Sequence, residues 1–367
     1  MKKSHSTVES LNRIRDIILD IPKIMCILAL TKGKAMNHSV FSEPQFHNEE
    51  SAFAFVEALL WPDGPVCPHC GDKEKIGKLN GKTTRIGLYK CYACQKPFTV
   101  RIGTLFEDSH IPLRFWLQAI YLMAQSKKGI SANQLHRSLG VTLKSAWFLG
   151  HRIREAMREG ELAPFGGNGG IVESDETFLW NEPGKPIKRG GGGHKHKILS
   201  LIDRNSGQVR SAVVENFKVK TIVPILKENI AKEARVMTDE AGQYRGLKDH
   251  FEDHGVVNHS VKEYVSFSDP SIHINTVEGF FSIFKRGMKG VYQHCEKQHL
   301  HRYLAEFDFR YSKRVAKGID DSTRAEKILC GVAGKRLTYQ TANRKGGERR
   351  ASQPQRMISK DGRICYF

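Results

Sequence analysis

The sequence predicts an α/β protein, with a mixed sheet and crossover helices over residues 168–325, preceded by a small zinc ribbon and an all-α helix-turn-helix region. Three patterns predict it. Cysteines fall in two C-x2-C knuckles at Cys67, Cys70, Cys91 and Cys94. Apolar residues at spacings of three and four fill residues 112–159, the period of helices with one buried face. Beyond the glycine-rich PFGGNGG at 164–170, short β-branched runs separated by turn signals alternate with helical ones, the order of an α/β domain.

Composition narrows the partners. At 40% hydrophobic and 26% charged, the 367-residue chain falls among ordinary globular proteins. No run approaches the roughly 18 apolar residues of a membrane helix, and IMCILAL at 24–30 is too short and too far in for a secretory signal, so a cytoplasmic protein without membrane contact is expected. Lysine and arginine number 58 against 39 acids, a net charge of +19, which draws the chain to polyanions.

Residues 1–45 form a leader whose run LNRIRDIILDIPKIMCILAL reads as helical and is broken by Pro22; a start at Met36 would make it an extension. Residues 46–108 hold a short amphipathic helix, EESAFAFVEALL, and the ribbon. In a reducing compartment, C-x2-C-x20-C-x2-C is a metal framework rather than a pair of disulfides. Four thiolates satisfy zinc's tetrahedron and leave no position open for water, so this zinc is structural. His69, inside the first knuckle, reads as a surface residue, and Cys26, Cys295, Cys330 and Cys365 as ordinary thiols.

Over residues 109–163, LRFWLQAIYLMAQ is followed by a helix-turn-helix pattern. Ser131 caps one helix, Gly140 turns the chain, and Thr142 caps a second helix whose outward face is expected to carry Lys144, His151, Arg152 and Arg154 to DNA. The same hairpin also occurs in plain structural bundles.

In the α/β domain, strands are expected at GIVESDETFLW, HKILSLIDR and QVRSAVVENF, with RNSG turning the last two into a hairpin. A helix at TIVPILKENI, a strand at ARVMTD, a helix near YRGLKDHF, a strand near VVNHSVKEYV and a long helix from about Asn275 complete the order. The loop GKPIKRGGGGHKHK at 184–197 lacks the residue order of a nucleotide-binding loop and reads as a basic flap facing DNA. Residues 326–367 read as a basic, poorly ordered tail.

Three acidic stretches carry the chemistry: VESDETF around Asp175, VMTDEAGQY around Asp239, and the helix around Glu278. A lone Asp at a strand end is usually a turn former or cap. Two on strands of one sheet, with a third acid on a helix alongside, can hold two Mg²⁺ or Mn²⁺ ions for in-line displacement at phosphorus. Glu176 and Glu240 are expected to point away from their aspartate neighbours, whereas Glu173 shares the face of Asp175 and stays open as a ligand. On the last helix Asn275 and Glu278 are alternative third ligands, the anionic Glu278 preferred. Lys285 lies two turns on along the same face, with Arg286 beside it, suited to DNA phosphate. His294, His299 and His301 follow closely and read as phosphate or structural contacts.

WPDGPVCPHCG, GIVESDETF, VMTDEAGQY and HINTVEGFFSIFKRGMKGVYQHCEKQHLHRYLAEFDFRYSKR together resemble the DDE-superfamily insertion-sequence transposases with an N-terminal zinc ribbon. The resemblance covers about residues 45–325. It implies an RNase H-like catalytic core, with Asp175 and Asp239 matching the first two metal-binding acids. Glu278 or Asn275 matches the third, and Lys285 a basic position that touches DNA. A bacterial, nucleoid-associated enzyme follows, binding the terminal inverted repeats of double-stranded DNA and performing cleavage and strand transfer into target DNA as a homo-oligomer on paired ends. The rival expectations are a non-catalytic zinc-ribbon DNA-binding regulator and an RNase H-like nuclease without joining activity.

Overall fold

The computed structural model describes residues 39–160, 163–187 and 192–338, together with the backbone of two short paired strands, Met357–Ile358 and Ile364–Cys365. The leader helix and most of the tail expected from the sequence lie outside the described residues. The chain divides into two compact units, Met1–Thr99 and Val100–Phe367.

In the first unit, helix α1 (Glu49–Leu60) starts where the Asn48 side chain accepts the Ser51 amide N–H. Strands β1 (Ile76–Lys78), β2 (Tyr89–Cys91) and β3 (Pro97–Phe98) make an antiparallel ribbon. Trp61, Tyr89 and Phe98 stack beside it, and the Tyr89 hydroxyl donates to the buried Glu57 carboxylate at 2.9 Å.

The second unit opens with α2 (Leu113–Gln125), α3 (Ala132–Leu139) and α4 (Leu143–Met157). The expected punctuation is present. Ser131 Oγ accepts the Gln134 amide, Gly140 ends α3 at φ 66°, and Thr142 Oγ1 accepts the Ser145 amide. These caps satisfy orphan backbone groups at the helix ends and fix the sharp turn.

A five-stranded mixed sheet follows, in the order β6 (Val209–Val214), β5 (Lys195–Asp203), β4 (Ile171–Asn181), β7 (Arg235–Asp239), β8 (Asp253–Val257). The first three strands are antiparallel neighbours, and β4, β7 and β8 run parallel. Helix α5 (Val219–Asn229) links β6 to β7; α6 (Asn275–Gly287), α7 (Lys297–Ser312) and α8 (Asp321–Cys330) come after the sheet. Val172, Leu199, Leu201 and Val236 pack with Ile222 and Leu226 of α5 on one face. On the other, Leu179, Ile198, Ile202 and Met237 pack with Val277, Phe280 and Phe284 of α6 and Leu304 and Phe307 of α7. The sheet is therefore buried on both sides, as an RNase H-like core requires.

The structure departs from several expected elements. Of VVNHSVKEYV only Val256 and Val257 are strand, at the end of β8, and His259–Val261 form a 3-10 turn. YRGLKDHF forms two 3-10 turns, Gly242–Tyr244 and Leu247–Asp249, rather than a helix. Gly246 between them adopts φ 83°, which interrupts the chain although Tyr244, Leu247 and Phe251 keep a helical apolar spacing and are buried. Residues 326–338 are also ordered: α8 runs to Cys330, the Leu105 amide donates to the Val332 carbonyl, and Lys335 Nζ donates to the carbonyls of Glu155 and Ala156.

Candidate active site

Strand register brings the first two acids together. Parallel pairing sets Ile171 opposite Arg235 and Glu173 opposite Met237, so two residues farther along each strand Asp175 and Asp239 stand at one level. Side chains alternate along a strand, which puts both on the Met237 face, the face that α6 covers. Glu278 lies in the first turn of that helix.

The carboxylates act on one another. Burial pushes the Asp175 carboxyl up to about 7; the Glu176 amide, donating to its Oδ1 at 2.7 Å, opposes this, and the charges of Glu176, Asp239 and Glu278 add to it. Burial also raises Glu176 to about 7, against hydrogen bonds from Tyr244 and Gln243. Asp239 is raised by burial too, opposed by the Ala241 amide at 3.0 Å. Glu176, expected to point away, is thus within electrostatic reach of Asp175 and Asp239. Positive charge is sparse here. His259 Nε2 lies 3.7 Å from Glu278 Oε1, and Lys285, its pKa lowered by burial, is favoured as a cation by Asp175.

Hard oxygen donors that repel one another fit a divalent cation of the Mg²⁺ kind, which neutralises them without proton uptake. Asp175 and Asp239, with the charge of Glu278 acting on Asp175, are donors of that chemical type. Among the described residues, however, only the four ribbon cysteines converge closely enough to form a ready metal cluster. Asn275, the alternative third ligand, is exposed at the start of α6.

Glu173, left open as a ligand by the sequence, is committed elsewhere. Fully buried, its carboxylate accepts from Arg204 Nε at 2.6 Å, Thr276 Oγ1 at 2.7 Å and the Val277 amide at 2.9 Å. The sequence signal for this was only its shared face with Asp175, and the partners lie too far along the chain to be read locally.

In the ribbon, Cys67 and Cys94 sulfurs are 3.7 Å apart, Cys70 and Cys91 3.6 Å, and all four lie within 4.8 Å of one another. Zinc–sulfur bonds of about 2.3 Å give a tetrahedron edge of about 3.8 Å, so the quartet is sized for zinc. The two knuckles repeat one geometry. Cys67 N–H donates to Asp72 O and Cys91 N–H to Lys96 O, and the residues after the second cysteines, Gly71 and Gln95, take φ 77° and 63°.

Residues 168–312 match the ISXO2-like transposase domain, and residues 47–97 match the transposase zinc-ribbon domain. The chain belongs to the DDE-superfamily insertion-sequence transposases with an N-terminal zinc ribbon. An uncharacterized protein in transposable element ISH50 of Halobacterium salinarum is 27% identical to this transposase over 281 residues, covering 72% of the chain and 91% of the relative. An uncharacterized transposase-like protein of Haemophilus influenzae is 27% identical over 110 residues, 30% of the chain and 85% of the relative. Among solved structures, a chain of the simian T-cell lymphotropic virus intasome in complex with PP2A regulatory subunit B56 gamma overlaps at TM-score 0.25 and 14% identity, covering 47% of this chain and 63% of that one.

The basic face expected on α4 of the transposase requires correction. His151, Arg152 and Arg154 are 2%, 5% and 4% exposed, so they do not face DNA. Arg154 pairs with Glu306, Arg152 donates to the carbonyls of Leu105, Glu107 and Leu337, and the His151 ring packs among Trp147, His299 and Tyr303. Lys144 and Arg286 are exposed and Lys285 is partly so. His299 is a packing residue, and burial lowers the pKa of His301 to about 3, which removes it as a phosphate-binding cation. Among the described residues no helix is long and apolar enough to cross a membrane.

Proposed function

We propose that this transposase cleaves and joins DNA at the group formed by Asp175, Asp239 and Glu278, after binding the terminal inverted repeats of its element. The observation that carries the reading is the alignment of Asp175 and Asp239 on adjacent parallel strands, with Glu278 near enough for its charge to act on Asp175. Mg²⁺ or Mn²⁺, when bound, would supply positive charge for phosphoryl displacement, as Lewis acid and as activator of the attacking oxygen. The chain's own residues do the rest. Asp175 and Asp239 would hold the ions from the sheet, Glu278 would close the group from α6, and Glu176 adds negative charge that strengthens the demand for cations. Lys285, on the same helix face and close to Asp175, meets the DNA backbone beside the reacting phosphate and is a point charge suited to it. Water attacks the phosphodiester at the element's end, leaving a 3′ hydroxyl on the element and a 5′ phosphate on the flanking strand; that hydroxyl then attacks a target phosphodiester and displaces the target's own 3′ oxygen, with no covalent link to the protein. Paired ends call for two or more copies of the chain.

The test is cleavage and joining in vitro on DNA carrying the element's ends, with Mg²⁺, for the wild type, Asp175→Asn and Asp239→Asn. Both variants are expected to bind the ends and to lose cleavage and strand transfer. Retained metal-dependent transfer in either would defeat the assignment, and cutting without joining by the wild type would make the protein a nuclease.

A further inference from the structure

We infer that Glu173 is a positioning residue that fixes Glu278 relative to Asp175 by capping helix α6 from strand β4. The inference rests on the reading of Asp175 and Glu278 as parts of one metal-holding group. Helix α6 lacks a cap of its own, because Ile274 at its N-cap position offers no side-chain acceptor. The first N–H groups of a helix need acceptors, and a carboxylate is the favoured one at its positive end. Glu173 supplies it across the fold, accepting the Val277 amide at 2.9 Å on Oε2 and the Thr276 hydroxyl at 2.7 Å on Oε1.

The capping carboxylate is itself held. Arg204 Nε donates to Glu173 Oε1 at 2.6 Å, and the same guanidinium donates to the carbonyls of Ser271 and His273, each at 2.6 Å, just before α6. Arg204 Nη2 also donates to His273 Nδ1 at 2.9 Å. One buried hub thereby fixes the loop entering α6 and its first turn. The path between the two acids is correspondingly short. Asp175 stands two residues after Glu173 on the same face of β4, and Glu278 directly follows Val277. Through the chain the two sides of the Glu173 to Val277 bond are 104 residues apart, so this bond and its neighbours, with the apolar packing of α6 on the sheet, set their separation. Loss of such a buried outer partner typically costs a metal site about 10–100-fold in affinity.

The test uses the full-length zinc-loaded protein with Mn²⁺ as probe. Mn²⁺ binding is followed by loss of the free-ion electron paramagnetic resonance signal, and exchange of the Val277 amide by hydrogen–deuterium mass spectrometry. Glu173→Gln keeps the volume but turns an NH2 group toward donors. It is expected to raise half-saturating Mn²⁺ about tenfold and to expose the Val277 amide, with exchange in β5 unchanged. An unchanged Mn²⁺ isotherm in the folded variant overturns the inference even if exchange rises, since the role would then be structural only; unchanged exchange at Val277 also overturns it. If Glu173→Gln does not fold, Thr276→Ala removes one donor, and a shift in both readouts of the same sign supports the inference while no shift overturns it. Asp175→Asn is the reference. Wild-type Mn²⁺ binding in that variant would refute the metal-holding group itself, an outcome visible without reference to Glu173.

Discussion

Arg154 of α4 and Glu306 of α7 form an ion pair away from solvent, Nε to Oε2 at 2.7 Å, with side chains 5% and 0% exposed. Tyr292 donates to the other carboxylate oxygen at 2.6 Å, and Arg310 approaches it at 3.1 Å. The neighbouring arginines hold Glu306 below the usual carboxylate range against its burial. The pair ties α4, the second helix of the helix-turn-helix, to α7, which packs on the five-stranded sheet. Removing Arg154 leaves the buried Glu306 carboxylate with Arg310 and Tyr292 and takes away its shortest ion pair, a loss of about 3 kcal/mol, the low end for a broken buried pair. Arg154→Met is therefore expected to lower the free energy of unfolding by that order, read from urea titration; a change below about 1 kcal/mol would contradict the burial.

Lys144 near the start of the same helix is exposed. Lys144→Ala is expected to leave stability within about 0.5 kcal/mol and to weaken binding of DNA ends, with the salt slope smaller by about one. An unaltered slope would remove α4 from the DNA-contacting surface altogether.

The ribbon's four thiols converge on one point from two knuckles, so metal and fold are coupled there. Cys67→Ser is expected to abolish zinc in the purified protein by elemental analysis and to open the amides of β2 to exchange. Full zinc content in that variant would contradict the quartet.

Asp308 gives the metal-free protein a pH dependence. Burial pushes its carboxyl up to about 7, against hydrogen bonds from the Ser211 hydroxyl at 2.7 Å and amide at 2.8 Å. Between the unfolded value near 4 and the folded value near 7, the native state holds a proton that the unfolded chain has released. Stability from this group is thus complete below about pH 4 and falls by up to about 1.4 kcal/mol per pH unit until the folded value is passed. Asp308→Asn keeps an acceptor for the Ser211 amide and is expected to flatten urea-derived stability over that window; an unchanged profile would assign the slope to other groups.

Much of this was readable because the signals are local. Ser131, Gly140 and Thr142 punctuate the helix-turn-helix within a few residues, and the β4, β5, β6 and β7 runs carry their own periodicity. The side on which a charge ends up is not local. Arg154 looks like a DNA contact until Glu306, 152 residues away, is seen to receive it. Glu173 looks like a ligand for the same reason, its partner amide lying 104 residues along the chain. Gly246 was a readable break, outweighed by apolar residues at a helical spacing that the two 3-10 turns also satisfy.

Charge and place favour Glu278 over Asn275 as the third ligand of the proposed group. Both stand in the first turn of α6, but only Glu278 is an anion, and its charge is among those that raise Asp175. Its side chain is 42% exposed, with His259 Nε2 at 3.7 Å. An amide at Asn275 offers a weaker donor and adds no negative charge to attract the cation. Glu278→Gln is expected to cut strand transfer about a hundredfold or more, with Mn²⁺ needed at higher concentration, whereas Asn275→Ala changes it less than about threefold. The reverse ranking in the same joining assay would move the third ligand one turn back along the helix and leave Glu278 as a partner of His259.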